Sequence, residues 1–368
     1  MKIKSIEALP LSAKMKPLRI ATTTFTECRA LIVCITTDDG LTGIGESLVR
    51  SAPRATKYIV EDTLAPIIIG KDPIDAAGLW WEMFSAMRTR GHTKGHFIEA
   101  ISGVDLALWD IIGKASGLPL YRALHGVGRK TLPAYASSIF IGETKEMEAQ
   151  AKRFLDLGYD TLKIKIGMGP EKDEEAVAVI RAMVGPKIKL MVDANSFYDS
   201  STAVLLGRKL EKYDLLWFEE PVPPYDFRGY KEVKRGQAIP IAAGEGEFTL
   251  YGFRDLLATE AVDVVQPDAG RVGGFTEGMR VAALVQAHNL KFAPHTGMCS
   301  AVNIVAGMHY AAAAPCFYMF EFMELDHPLM QIFKEEMPRP KKGIIELPDK
   351  PGLGVELDRK ILEKWIEK

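Results

Sequence analysis

A chain of 368 residues, 47% hydrophobic and 26% charged, is long enough for one large domain and a smaller one of ordinary globular composition. Its formal net charge of -2 offers no field that would draw in nucleic acid or an anionic membrane. The opening Met1-Lys-Ile-Lys-Ser-Ile-Glu7 lacks the apolar core of a signal peptide. The weakly polar run from Ile304 to Phe320, broken by His309 and Pro315, reads as a buried helix followed by a strand, not a membrane span. Cys28, Cys34, Cys299 and Cys316 show no Cys-x-x-Cys spacing and are expected as free thiols of a cytoplasmic protein.

Residues 2–46 read as antiparallel strands, with Ala30–Thr36 as one of them and a turn at Asp39-Gly40. Lys14–Glu27 has no apolar period and is expected as a long loop, a feature that is usually functional or mobile. Apolar faces predict helices over Thr56–Ile69, Ile74–Met87 and Phe97–Ala115, the last stopped by Gly117-Leu-Pro119. Residues 1–126 thus form an α+β domain. From about Leu132 short apolar strands alternate with amphipathic helices such as Lys145–Leu157 and Ser200–Tyr213. Strands are predicted at 132–137, 160–166, 188–193, 215–219, 240–245, 262–267, 291–295 and 317–321. This is the pattern of a (β/α)8-type barrel over residues 127–325, possible with one unit missing. Residues 326–368 are loop-rich, with a short helix at Arg359–Glu367, and are expected to pack back on the first domain.

Polar residues that close apolar strands stand out. Asp193, Glu219 and Glu245 end three successive strands, each 26 residues from the last. A βα unit of that period places them at one height at the C-terminal mouth, where barrel active sites are built. Three converging carboxylates call for a cation, and hard oxygen ligands suit Mg²⁺; the alternative is three separate helix caps. Lys163 and Lys165, two apart, share one face of a strand while Leu162, Ile164 and Ile166 face a core. Paired ammonium groups repel, and with desolvation this lowers a lysine pKa and makes a base; the alternative is an edge strand with a solvated lysine face. Asp268 and His295 end the sixth and seventh strands and can form a dyad, and Glu321 ends the eighth. The remaining histidines read as structural or surface residues, with His92 and His96 at the edge of the site. Lysines and histidine on opposite sides of a metal suit removal of a proton next to a carboxylate. The resulting enediolate would be stabilised by the metal, by Lys163 as a cation and by Glu321 as a protonated donor, with Lys165 as the base.

Ordered Lys-x-Lys, Asp-x-Asn, Glu-Glu-Pro, Gly-Glu, Asp-x-Gly-Arg-x-Gly-Gly and a seventh-strand histidine resemble the enolase superfamily, and within it the mandelate racemase subgroup. Ala107–Pro119 and Pro351–Gly354 extend the resemblance over essentially the whole chain. The muconate lactonising branch carries a lysine where this chain has Asp268. The resemblance implies Asp193, Glu219 and Glu245 as Mg²⁺ ligands, with Mn²⁺ as a substitute. It implies Lys165 and the His295–Asp268 dyad as acid and base, and Glu321 as electrophile on the substrate carboxylate. It makes Lys163, Asn195 and Arg19 candidates for substrate contact, and Glu220 a motif residue turned away from the metal. The first domain would be a lid, with Lys14–Glu27 and the segment after Glu46 closing over a small carboxylic acid; Arg19, Arg50, Arg54 and Thr22–Thr24 suit a polyhydroxy acid. A homo-oligomer, dimer to octamer, is expected. Within this subgroup most members resemble acid-sugar dehydratases and a few are racemases, so the resemblance implies dehydration of an acid sugar to a 2-keto-3-deoxy acid, with racemisation or epimerisation of a 2-hydroxy or related acid as the alternative. A Schiff-base lyase and a non-catalytic barrel compete, but neither accounts for a filled set of carboxylates and bases.

Overall fold

In the computed structural model, which describes residues 1–21 and 23–367, the chain opens with a long hairpin, β1 (Ile3–Ile20) and β2 (Thr23–Thr37). After the Asp39-Gly40 turn, β3 (Thr42–Ser47) adds antiparallel to β2. Lys14–Glu27, expected as a loop, is instead the far end of this hairpin. Lys14 pairs with Glu27 and, after a register shift, Leu18 pairs with Phe25 and Ile20 with Thr23. Thr22 lies outside the described residues. Side chains from Lys14 to Arg19 are exposed or half-buried, so no buried face imposes a period of two on the sequence.

Helices cover this sheet. α1 (Pro53–Tyr58), a π-helical stretch (Ile59–Leu64) and α2 (Ala65–Ile68) run on without interruption, followed by α3 (Ala76–Arg88), α4 (His96–Ser116) and α5 (Leu120–Ala123). α4 lies directly on the sheet because Gly43 and Gly45 leave room for it. A Cβ at either would stand 2.1 Å from a carbonyl oxygen of α4, that of Ala107 or Gly103. Buried Asp110 of α4 accepts from Ile44 N (2.9 Å), from Leu353 N (2.8 Å) and from Lys114 Nζ (2.7 Å). One carboxylate therefore joins sheet, helix and tail, which gives both Ala107–Pro119 and Pro351–Gly354 a structural reason.

Eight parallel strands form the second unit: β4 (Thr131–Phe140), β5 (Thr161–Lys165), β6 (Lys189–Asp193), β7 (Leu215–Glu219), β8 (Ile241–Ala243), β9 (Val264–Val265), β10 (Lys291–Phe292) and β11 (Phe320–Phe322). Each pairs with the next from β4 to β10, and β11 pairs with β4. Tyr318 N donates to Phe292 O (2.8 Å) and closes the circle between β10 and the approach to β11. Seven helices lie between the strands: α6 (Thr144–Asp156), α7 (Pro170–Val184), α8 (Ser200–Leu210), α9 (Phe227–Gly236), α10 (Thr249–Leu257), α11 (Gly274–Ala287) and α12 (Ala301–Ala313). No helix among the described residues is long and apolar enough to cross a membrane. β5 lies between two neighbours and is not an edge strand. Leu162, Ile164 and Ile166 face the helices, Lys163 and Lys165 the interior. Tyr135, Met191, Trp217 and Val264 fill the interior, with Met191 in register with Lys163.

The tail returns along the molecule. β12 (Ile344–Glu346) pairs antiparallel with β4. Further on, Ser12 N donates to Trp365 O and Glu367 N to Pro10 O, both 2.8 Å, so residues 365–367 line the outer edge of β1.

Fully buried His309 in α12 accepts from Tyr121 N at Nδ1 (3.1 Å) and points Nε2 at Leu353 O (3.1 Å). It joins the barrel to α5 and to the tail as a neutral imidazole. Burial lowers its pKa from the usual 6.5 to about 4. Between those values the unfolded chain holds a proton that the folded chain does not, so stability is complete above about pH 6.5 and falls as pH drops toward 4. The shift corresponds to roughly 3 kcal/mol. Urea titrations at pH 7 and pH 4.5 should show less acid destabilisation in His309→Gln than in wild type; an equal loss would place the acid sensitivity elsewhere.

Candidate active site

Polar side chains from the C-terminal ends of all eight strands meet inside the barrel mouth. On β5, Lys163 is completely buried and Lys165 is 7% exposed. Register pairs Lys165 with Asp193 and Asp193 with Glu219, so these three do stand at one height. Glu245 does not: Glu219 pairs with Ala242, and Glu245 lies three residues beyond it, past Gly244 at φ 125°. Its side chain reaches the cluster from a loop and is 15% exposed, whereas Asp193 and Glu219 are fully buried. β8, β9 and β10 all stop short of their predicted ends, and Asp268 and His295 likewise stand on the loops that follow.

One carboxylate oxygen from each of Asp193, Glu219 and Glu245 lies within 4.8 Å of the others. Glu245 Oε2 is buried and makes no hydrogen bond. Asp193 is fixed by Asn195 through its backbone N (2.8 Å) and Nδ2 (3.1 Å), with Asn195 in the left-handed region at φ 45°. Glu219 Oε2 accepts from Trp217 Nε1 (2.9 Å) and Gln266 Nε2 (2.8 Å). Three converging carboxylates with an unsatisfied oxygen fit a hard divalent cation. Glu220 turns the other way, onto Tyr230 Oη and Gly244 N (3.0 Å). Burial first, then the charge of Glu245, pushes its carboxyl up to about 8.

The two lysines are embedded in carboxylates. Lys163 Nζ lies 2.5 Å from Glu219 Oε1, 2.7 Å from Glu321 Oε1 and 3.7 Å from Asp193 Oδ2. Burial alone would lower its pKa, but Glu219 and Glu321 outweigh burial and hold it well above the usual lysine range. The charges nearest Lys163 are thus those of Glu219 and Glu321 and not that of the lysine two residues on. Glu321 accepts from Ser137 Oγ (2.5 Å), Thr296 N (3.1 Å) and Lys163. Burial raises it, yet Lys163 and His295 keep it well below the carboxylate range. Surrounded by donors, it is a carboxylate here and not the protonated donor expected. Lys165 Nζ lies 2.5 Å from Asp193 Oδ2.

Across the mouth, His295 Nδ1 lies 2.7 Å from Asp268 Oδ2. Its Nε2 accepts from Gly297 N (3.3 Å) and stands 3.4 Å from Glu245 Oε2. Burial lowers its pKa, but Glu245 and Asp268 more than offset that and the net direction is up.

A cavity of about 160 Å³ opens here, lined by Lys165, Asn195, Glu245 and His295 from the barrel and by Ile20, Thr23 and Phe25 from the hairpin. Arg50, past the end of β3, reaches into it, with Nη2 3.3 Å from His295 Nε2 and 3.7 Å from Glu245 Oε1. Arg50 belongs to the expected lid segment, but nothing in the sequence set it apart from Arg54. Arg19 is not brought into this cavity; it lines a separate groove with Gly142, Met168 and Lys172. His92 and His96 do not line the cavity either. His96 pairs with Glu99 (3.0 Å), and Glu99 in turn with Arg271 (3.1 Å), which donates to Glu245 O (3.0 Å). Trp217, Gln266 and Ser137, which orient the carboxylates, were also missed; each is a polar group in an apolar strand, the same signal that marked the ligands.

Comparisons with known proteins agree with this geometry. Residues 5–125 match the model of the mandelate racemase / muconate lactonizing enzyme N-terminal domain, and residues 146–361 the enolase C-terminal domain-like model. The chain is 33% identical to D-galactarolactone cycloisomerase of Agrobacterium fabrum, over 99% of each chain. It is 32% identical to arabinonate dehydratase of Saccharolobus solfataricus, over 90% of this chain and 89% of that one. A racemase structure from Streptomyces coelicolor with bound magnesium superposes with a TM-score of 0.92 at 29% identity, covering 99% and 100% of the two chains. With its capping sheet, its barrel of eight parallel strands and its Asp/Glu/Glu cluster, the chain belongs to the mandelate racemase/muconate lactonizing enzyme family of the enolase superfamily.

Proposed function

We propose that the protein eliminates a β-oxygen from a sugar-derived carboxylic acid, giving a 2-keto-3-deoxy acid. The observation that carries this is the pair of proton carriers on opposite walls of one cavity: Lys165 Nζ from β5, and His295 Nε2 past β10 with Asp268 behind it. Asp193, Glu219 and Glu245 would hold one Mg²⁺, with Mn²⁺ as a substitute. When bound, the ion supplies positive charge beside the substrate carboxylate and makes the α C–H more acidic. Lys165, in its neutral form, takes the α-proton at Nζ. His295 delivers a proton from Nε2 to the oxygen leaving the β carbon, and the enol product becomes a keto acid in water. Asp268 holds the imidazole with Nδ1 protonated, so that Nε2 is the atom that faces the cavity. Water is the leaving group if the substrate is an open-chain acid, as the dehydratase relative's name indicates; a ring oxygen leaves if it is a lactone, as the cycloisomerase relative's name indicates.

The same two-sided arrangement also favours a second reading, racemisation or epimerisation, in which His295 serves the opposite face of the α carbon. Incubation of the protein and Mg²⁺ with open-chain and lactone forms of mono- and diacid sugars separates them. Keto acid should form from at least one. Inversion in D₂O with deuterium at the α carbon and no keto acid from any substrate would replace elimination by racemisation.

A further inference from the structure

Glu46, at the end of β3, is fully buried and reaches from the capping sheet into the barrel. Its Oε1 accepts from Ser300 N (2.9 Å), and its Oε2 from Ser300 Oγ (2.5 Å) and Asn303 N (2.9 Å). Ser300 is the N-cap of α12, so this carboxylate satisfies donors that the helix start would otherwise leave unpaired. Asn303, fixed in that first turn, sends Nδ2 to Asp268 Oδ1 at 2.9 Å. The same oxygen accepts from Gly270 N (2.8 Å), and Asp268 Oδ2 is left for His295 Nδ1. Leu48 N donates to Gly270 O (2.9 Å). A Cβ on Gly270 would stand 2.8 Å from Asn303 Oδ1 and 3.1 Å from Glu46 O. The loop carrying Asp268 is thus stitched to the end of β3 and to α12, with Glu46, Asn303 and Asp268 all at 0% exposure.

A carboxylate rotates about its last bond unless both oxygens are held. Gly270 N and Asn303 Nδ2 together hold Oδ1, and their plane decides where Oδ2 points. Where Oδ2 points decides the tilt of the imidazole and the aim of Nε2. We propose that Glu46 and Asn303 are positioning residues for the His295–Asp268 dyad, so that the capping domain sets the aim of the barrel's acid. The kinetic consequence rests on the elimination reading above; the structural one does not.

Both are tested with protein labelled with ¹⁵N at histidine. Wild type should show a low-field His295 Nδ1–H proton resonance, assigned by its disappearance in His295→Asn. In Asn303→Leu that resonance should move upfield or broaden while the fold, followed by circular dichroism, persists. Asn303→Ser, too short to reach Asp268, serves if the leucine variant does not fold. Glu46→Gln, which keeps one acceptor, should give a smaller shift in the same direction. With substrate, Asn303→Leu should lower kcat for keto-acid formation about 10- to 100-fold with little change in KM, and retain α-proton exchange. A folded Asn303 variant with an unchanged Nδ1–H resonance overturns the proposal whatever its kinetics. A displaced resonance in a protein that yields no keto acid from any substrate supports the positioning role and sinks the elimination reading instead.

Discussion

Lys165→Ala stops exchange of the substrate's α-proton with D₂O, and His295→Asn stops keto-acid formation while leaving that exchange measurable. This split is expected because the two groups stand on opposite walls of the cavity and meet different atoms. Lys165 Nζ lies 2.5 Å from Asp193 Oδ2. His295 Nε2 lies 3.3 Å from Arg50 Nη2 and 3.4 Å from Glu245 Oε2. Loss of a general acid or base costs about 10²–10⁴-fold, far above assay scatter. Lys165→Ala should still bind Mg²⁺, since Asp193 keeps both of its contacts with Asn195. If His295→Asn retains full keto-acid formation on the best substrate, another group is the acid and the dyad has been misassigned. If Lys165→Ala retains exchange, the base is not on β5.

Chelation abolishes turnover without unfolding the chain, and Glu219→Gln reproduces the effect by removing a ligand. Glu219 is fully buried and its carboxylate is oriented by Trp217 and Gln266. Loss of a residue that only orients a ligand costs about 10–100-fold in metal affinity; loss of the ligand itself should exceed about 100-fold. Glu220→Gln is the control. Glu220 is turned away from the cluster onto Tyr230 and Gly244, and an amide is close to a carboxyl in shape. Calorimetric titration with Mg²⁺ should show Glu220→Gln within about tenfold of wild type, together with a higher Tm on metal addition that Glu219→Gln lacks. Equal affinities in the two variants would mean that the wrong glutamate had been assigned, and full activity in excess chelator would remove the metal from the reaction.

Most of the barrel was readable because each strand is a short apolar run closed by a polar residue, and such runs have few alternative explanations. The 26-residue spacing of Asp193, Glu219 and Glu245 identified the cluster correctly but for a partly mistaken reason. Asp193 and Glu219 share a register, whereas Glu245 arrives from a loop, and equal spacing cannot distinguish a strand end from a turn beyond it. The Lys-x-Lys spacing could not show what surrounds Lys163, because Glu219 and Glu321 are distant in the chain. The hairpin end was invisible for a different reason. From Lys14 to Arg19 no side chain is fully buried, Met15 only resting half-buried against the core, and without a buried face the alternation that reveals a strand is not selected. Arg50 was named only as one of several lid residues and Asn303 not at all, because the contacts that single them out, with His295 and with Glu46, cross the domain boundary.

The strip of tail along β1 has a consequence for how the protein is made. Ribosomal synthesis delivers the capping sheet before the barrel, and residues 365–367 only after it. Throughout the interval the outer edge of β1 near Pro10 and Ser12 has no backbone partner, and an open strand edge is a template for pairing with another nascent chain. The capping domain, translated ahead of the barrel, is therefore sealed only after the whole barrel has emerged.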